Sequence, residues 1–198
     1  MRLHGSLRLA DCGGALRSAA ALVLSCSLAA CGTLDVVSEG GDSNLMLRGN
    51  DPVAYFPAGK AVAGRPDLKA LHLGAMYRFT SEDHRRQFIT NPERYAPQFG
   101  GFSALAMAYA VPAATDASTF KIIDGKLYLF ENPRSRLYFE MDQERNLREA
   151  HRYWESEVRD ASSWQLQALW RQMWRVPGYK SDADLAAEYE RRFGKKAE

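Results

Sequence analysis

The stretch from Asn91 to Ala104 (NPERYAPQFGGFSA) constrains the fold of this chain more than any other. It holds two prolines, two adjacent glycines and three aromatic residues within fourteen positions. Proline removes a backbone donor and glycine permits backbone conformations closed to other residues, so neither a regular helix nor a regular strand fits this stretch. The large rings nevertheless need burial. The sequence therefore predicts a tight, specific bend.

The first thirty residues have the pattern of an export signal. Three arginines precede an apolar run over residues 19–30, which is too short to span a bilayer as a stable helix. The run ends in the letters LAAC at residues 28–31, and small residues directly before a cysteine resemble the lipobox of bacterial lipoproteins. That resemblance implies cleavage before Cys31 and acylation of its sulfur and its new amino group. Several acyl chains anchor a protein far more firmly than one does.

Gly32 follows Cys31, at the position where an aspartate often retains such proteins in the inner membrane. We therefore expect an outer-membrane lipoprotein that faces the periplasm of a Gram-negative bacterium. The alternative is an ordinary cleaved signal with a coincidental cysteine. Cys26 is a weaker lipidation candidate, because Leu24 stands where a small residue is needed.

Removal of the signal changes both the charge and the cysteine content. The chain has 26 Lys and Arg against 24 Asp and Glu, and residues 1–30 hold three of the first group and one of the second, which leaves 23 of each. A neutral domain does not favour nucleic acid as a partner. The cysteines are Cys12, Cys26 and Cys31, so the residues after Cys31 contain no thiol for a disulfide or a metal.

The remaining chain divides by composition. Residues 31–44 are rich in Gly, Ser and Asp without apolar periodicity, which predicts a flexible tether. An edge strand through Val36 and Val37 is the alternative. The predicted organisation is a signal peptide over 1–30, the tether over 31–44, a domain over 45–158 and a helical C-terminal extension over 159–198.

Local patterns predict an α+β fold of small antiparallel hairpins with short helices. The predicted hairpins join 68–73 to 76–79 and 120–123 to 126–130, the second through Asp124-Gly125, which fits a type I′ turn. A short strand is predicted over 53–57. The predicted helices cover 82–90 after Ser81, 92–96, a region from Asn132 that breaks near 142–146, and 182–193 before Gly194.

Four motifs in order resemble the bacterial YHS domain-containing proteins. They are NDPVAYF at 50–56, YRF at 77–79, NPERYAPQFGGF at 91–102 and IDGKLYL at 123–129, and the resemblance covers about 45–154. In that family the double glycine is followed by an aromatic residue and then by cysteine or selenocysteine, and the family is suspected of handling copper or zinc. The matching position here is Ser103. A serine hydroxyl is not a soft ligand, so it cannot replace a thiolate on these metals.

The candidate reactive and metal-binding residues are few. A nucleophilic Ser103 would need a neighbouring base held by a third group, and no histidine stands in a recognisable arrangement with it. We therefore expect Ser103 to pack and to form hydrogen bonds. His72, His84 and Met107 are candidate ligands for a copper or zinc ion, since imidazole and thioether suit copper. The alternative is that both histidines are ordinary surface residues.

Five aromatic residues are candidates for the lining of a small-molecule pocket: Tyr55, Tyr77, Tyr95, Phe99 and Phe102. Aromatic clusters are more often plain core, which is the alternative. Asp51 precedes a proline and is predicted to form a turn rather than to act as an acid.

The predicted helix over 164–176 carries one wide apolar stripe. The stripe consists of Leu166, Leu169, Trp170, Met173 and Trp174. The stripe can pack on the domain, which we favour, bind a protein partner or lie on the membrane. Trp164 falls outside it.

These observations lead to a function hypothesis with one rival. The leading hypothesis is a lipid-anchored periplasmic binding or interaction protein without catalysis. It is held in the membrane by Cys31, and the helix over 164–176 is a candidate site for a protein partner. The rival is a periplasmic heavy-metal protein with a copper or zinc ion on the His and Met ligands. No constellation typical of an enzyme is found in the sequence.

Overall fold

The apolar interior is divided by strand β6 (Lys126–Phe130). The structure is a computed structural model that describes residues 33–160, 164–174 and 178–197. In this part of the chain, Leu127 and Leu129 face one hydrophobic cluster, and Tyr128 and Phe130 face another. Because successive strand residues point to opposite faces, one strand can serve both clusters.

The strands form two sheets, and β6 belongs to the second of them. The first has the order β1-β2-β4-β3, from strands β1 (Val36–Glu39), β2 (Asp42–Met46), β3 (Arg65–His72) and β4 (Ala75–Phe79). Its hairpins are antiparallel, and β2 meets β4 in parallel, with Leu45 beside Met76. The second sheet is the antiparallel pair of β5 (Asp116–Ile123) and β6.

Short helices fill the spaces around the sheets. They are α1 (Tyr55–Ala58), α2 (Glu82–Thr90), α3 (Pro92–Tyr95), α4 (Ala104–Met107), α5 (Pro133–Glu140), α6 (Gln143–Tyr153), α7 (Trp164–Trp174) and α8 (Asp182–Phe193). A turn of π-helix (Trp154–Val158) follows α6, and a 3-10 turn (Gln98–Gly101) contains the double glycine. The predicted α+β class is confirmed. Of the helices over the described residues, none has the length and apolarity needed to cross a bilayer.

Most predicted boundaries agree with the structure. Both hairpins are present, and Ser81 begins α2 by accepting a hydrogen bond from the backbone N–H of His84. Asn132 begins α5 with a capping box, and the break near 142–146 is the start of α6. The last helix runs over Asp182–Phe193 as predicted and ends at Gly194 in the left-handed conformation.

Two local predictions are wrong. Residues 36–44 lie in the hairpin of β1 and β2 rather than in a flexible tether, and the alternative of an edge strand through Val36 and Val37 is confirmed. Composition suggested a tether because the apolar residues here are few, yet Leu45 and Met46 are fully buried. The predicted strand over 53–57 is instead helix α1, since the backbone N–H groups of this stretch are bonded within the turn.

The double-glycine bend is covered by the start of the described chain. We call residues 33–35 the anchor segment. The backbone N–H of Asp35 donates to the carbonyl of Gly100 at 2.8 Å. A Cβ at Gly100 would collide with the carbonyl oxygen of Thr33, and a Cβ at Gly101 would lie 2.8 Å from the sulfur of Met46. Glycine is required here because two chain segments meet with no space for a side chain.

The C-terminal helices belong to the core rather than to a separate extension. Leu185 and Tyr189 of α8 are buried in the same cluster as Tyr138 of α5, and Tyr189 and Tyr138 meet edge to face. Ala168 of α7 is buried there too. The predicted boundary near residue 159 therefore does not separate two hydrophobic cores.

Candidate functional site

Ser103, which the predicted resemblance aligns with a cysteine, is fully buried. It begins helix α4, and its Oγ accepts a hydrogen bond from the backbone N–H of Ala106 at 3.4 Å. Its own N–H donates to the carbonyl of Ala113 at 3.0 Å. The Ser103 hydroxyl is also near enough to Glu131 to lower the pKa of that carboxyl. The prediction that this serine packs and forms hydrogen bonds is confirmed.

An acidic groove of about 140 Å³ lies between α4, α7 and α8. Its walls include Leu105, Tyr109, Glu131, Tyr179, Lys180 and Asp182. Burial raises the pKa of Glu131 and the nearby charge of Asp182 raises it further, whereas the hydrogen bond from Ser103 lowers it. Lys180 is engaged with Glu188. The groove offers carboxyl groups and tyrosine rings, which suit a small cation better than an anion.

The candidate metal ligands are held in different places. His72 lies edge-on to the ring of Phe88, with centroids 5.8 Å apart, whereas His84 is bonded to Asp51. Met107 is fully buried in the other hydrophobic cluster. Over residues 33–160, 164–174 and 178–197, no three His, Cys, Asp or Glu side chains are grouped as a metal site.

Asp51 joins the 51–54 turn to the end of β4 and the start of α2. Its Oδ1 accepts from the backbone N–H groups of Val53 at 2.9 Å and Ala54 at 3.3 Å. Its Oδ2 accepts from the N–H and hydroxyl of Thr80, at 2.8 and 2.7 Å, and lies 2.6 Å from Nδ1 of His84. Asp51 is fully buried, and the prediction that it forms a turn is confirmed.

The sequence does not predict the pairing of Asp51 with His84. A buried carboxylate that holds an imidazole is also part of hydrolase triads, where the far ring nitrogen meets a nucleophile. Among the described residues, no side chain is hydrogen-bonded to Nε2 of His84, so the arrangement lacks the third member. The two residues are 33 positions apart. No spacing rule links such residues, because the pairing depends on how α2 packs against the turn.

The five aromatic candidates form core rather than one pocket. Tyr55, Tyr77 and Tyr95 pack in the cluster on the first sheet, and Phe99 and Phe102 pack in the cluster around α4. Four of the five are at most 5% exposed, and none lines the groove described above. The core alternative is therefore the one that the structure supports.

The apolar stripe of α7 faces outward, so the favoured prediction that it packs on the domain is wrong for the side chains described. Leu169, Trp170, Met173 and Trp174 are 54–62% exposed, and we call these four residues the α7 outer face. The two indoles stack with centroids 6.1 Å apart. The side chains of Trp164 and Leu166 lie outside the described residues, as do residues 175–177, the predicted signal and Cys31.

Comparison of the chain with protein-family models, with curated proteins and with solved structures found no match. The resemblance to YHS domain-containing proteins therefore stays a prediction. The geometry above carries the functional argument.

Proposed function

We propose that this protein is a lipid-anchored periplasmic protein on a YHS-like scaffold, and that it acts by binding rather than by catalysis. The observation on which the proposal depends most is that Ser103 is buried and inaccessible to a substrate. The side chain is 0% exposed and its oxygen is used to begin α4.

Serine chemistry has one requirement that this position does not meet, since a nucleophile must be accessible to its substrate. Glu131 contacts both Ser103 and the groove, but Ser103 does not line the groove. The hydroxyl therefore serves the fold, where it links the start of α4 to the segment after β6.

The lipid anchor is supported by the lipobox-like pattern at residues 28–31. Thr33, close after this pattern, is hydrogen-bonded to the domain. One residue, Gly32, separates Thr33 from Cys31, so an acylated cysteine would hold the whole domain close to the membrane. The binding role is supported by the α7 outer face, because an exposed apolar patch of this kind on a soluble domain marks a surface that binds a protein or a membrane.

The anchoring part is tested by metabolic labelling with an alkyne analogue of palmitate in a Gram-negative host. We expect the wild type and Cys26→Ser to carry the label and to be shortened by signal cleavage. Cys31→Ser should lose the label, because it removes the acylated sulfur. A Cys31→Ser variant that stays labelled would contradict the anchor.

The absence of catalysis is tested with a panel of activated esters. We expect no turnover by the wild type beyond that of Ser103→Ala. Ser156→Ala serves as the matched control, since Ser156 is exposed on the π-helical turn. Ester hydrolysis that disappears in Ser103→Ala and persists in Ser156→Ala would overturn the proposal.

A further inference from the structure

Helix α7 packs on the domain through one side and leaves the opposite side uncovered. Ala168 is 7% exposed, and Arg171 pairs with Glu157 and lies over the ring of Tyr153, 5.2 Å from its centroid. At about 100° per residue, the centre of the α7 outer face lies about 160° around the helix from the centre of these contacts. Its area is on the order of 500 Å², at the upper end of what soluble monomers expose.

The anchor segment contacts the same π-helical turn on which α7 rests. The hydroxyl of Thr33 donates to the carbonyl of Val158 at 3.1 Å, and the backbone N–H of Thr33 donates to the backbone carbonyl of Arg159 at 3.4 Å. Glu157, the partner of Arg171, is the neighbour of Val158. Cys31 is at most about 7 Å of chain from Thr33, and α7 is about 16 Å long. Acyl chains on Cys31 would thus enter the bilayer beside α7.

A second apolar protrusion also meets the anchor segment. The tip of the β3–β4 hairpin presents Leu71 at 69% exposed and Leu73 at 78%. Beside them, the side chain of Leu34 lies within 3.9 Å of the Cβ position of Gly74. The two most exposed large apolar side chains among the described residues, Leu71 and Leu73, are therefore on a hairpin next to the segment that would carry the lipid.

The chemistry of the α7 outer face suits lipid. It contains no charged side chain, and its two indoles combine an apolar ring with an N–H donor, which favours the headgroup region of a bilayer. The charged side chain of the described part of α7, Arg171, is turned inward to Glu157. Binding would therefore depend on apolar burial and little on anionic lipid.

We infer that the α7 outer face docks on the phospholipid surface that holds the anchor, so that α7 lies in the plane of the membrane. This inference rests on the lipid anchoring proposed above. Docking by a helix in addition to acyl chains would fix the orientation of the domain, because a single attachment point leaves it free to rotate.

The test uses the purified full-length lipoprotein in phosphatidylcholine vesicles, with and without brominated acyl chains, which quench tryptophan on contact. A mass spectrum of the same sample shows whether Cys31 is acylated. Two of the four tryptophans lie on the α7 outer face, so we expect bromolipid to remove about half of the emission. The quenching should be the same at low and high salt, and with anionic lipid added.

Matched variants separate docking from a general loss of apolar surface. Leu169→Glu/Met173→Glu keeps both tryptophans and should reduce the quenching several-fold. Ile89→Glu/Phe193→Glu adds the same charge at residues of similar exposure, 54% and 53%, and should leave the quenching unchanged. Circular dichroism checks that each variant is folded.

Each outcome decides one of the two proposals. Acylated protein whose tryptophans are not quenched overturns the docking and leaves the anchor in place. Protein that is not acylated but is quenched on vesicles overturns the anchor and supports the docking. Tryptophans shielded from both bromolipid and an aqueous quencher would show that protein covers the face, which also overturns the docking.

Discussion

The anchor segment lies directly against the double-glycine bend. Gly100 has a φ of +61° and Gly101 a φ of +89°, conformations that strain other residues. The carbonyl of Thr33 occupies the space that a Cβ at Gly100 would need. The bend thus holds the segment that follows the predicted lipid.

Gly100→Ala should lower the free energy of unfolding by about 2–4 kcal/mol, because it adds the left-handed strain of a single residue to a collision with the anchor segment. Gly125→Ala is the control, since Gly125 has a φ of +71° but no atom within 4 Å of the Cβ position. It should cost only about 1 kcal/mol. Urea unfolding measures the free energy of unfolding of both variants. An equal loss in Gly100→Ala and Gly125→Ala would show that the anchor segment moves to avoid the collision, and would contradict the prediction.

A second residue-scale prediction concerns pH. The hydroxyl of Tyr128 and Nε2 of His151 share a hydrogen bond at 3.0 Å, in a partly buried environment. Burial, followed by the charge of Lys126, lowers the pKa of His151 below its ordinary value of 6.5, although Glu155 acts in the opposite direction. Between the lower folded pKa and 6.5, the unfolded chain binds more protons. Stability is therefore lost as the pH falls through this window.

We expect the wild type to lose more stability than His151→Phe when the pH falls from about 7.5 to about 5, because phenylalanine keeps the ring contacts and does not titrate. Urea unfolding curves at several pH values measure the difference. Parallel pH profiles for the two proteins would contradict the role of His151.

At the scale of elements, Asp51 connects a turn, a strand and a helix. Asp51→Ala should lower the free energy of unfolding by about 3 kcal/mol, because the N–H groups of Val53, Ala54 and Thr80 lose a buried acceptor. Asp116→Ala is the matched control. Asp116 bonds only to its near neighbours at the exposed start of β5, so we expect about 1 kcal/mol. Denaturant unfolding compares the two, and a similar loss in both would contradict the linking role.

At the scale of the whole molecule, the C-terminal helices complete one of the two cores. Leu185→Ala should cost about 2–4 kcal/mol, because it opens a cavity next to Tyr138 and Tyr189. Phe193→Ala, at a residue that is 53% exposed, should cost less than about 1 kcal/mol. Thermal unfolding should show one transition for both variants. A Leu185→Ala protein with two transitions would mean that α8 melts separately from the domain.

Some features were predictable because their causes are local. The Asp124-Gly125 turn, the caps at Ser81 and Asn132 and the stop at Gly194 depend on residues at most four positions apart. The tether prediction was wrong because β1 and β2 are held by burial of Leu45 and Met46 against distant strands. Composition within a window does not contain that information.

The sequence by itself determined the α+β class, the β3–β4 and β5–β6 hairpins, the caps and the tight bend at residues 100–101, since each follows from backbone conformation and short-range hydrogen bonding. Only the tertiary structure decided that Ser103 is fully buried, that Asp51 is hydrogen-bonded to His84 and that the apolar stripe of α7 faces outward. An apolar stripe has the same pattern whether it meets a core or a membrane. The side of α7 that packs on the domain is the one whose side chains fit the domain surface, and here that is the side with the small residue Ala168 rather than the side with the tryptophans.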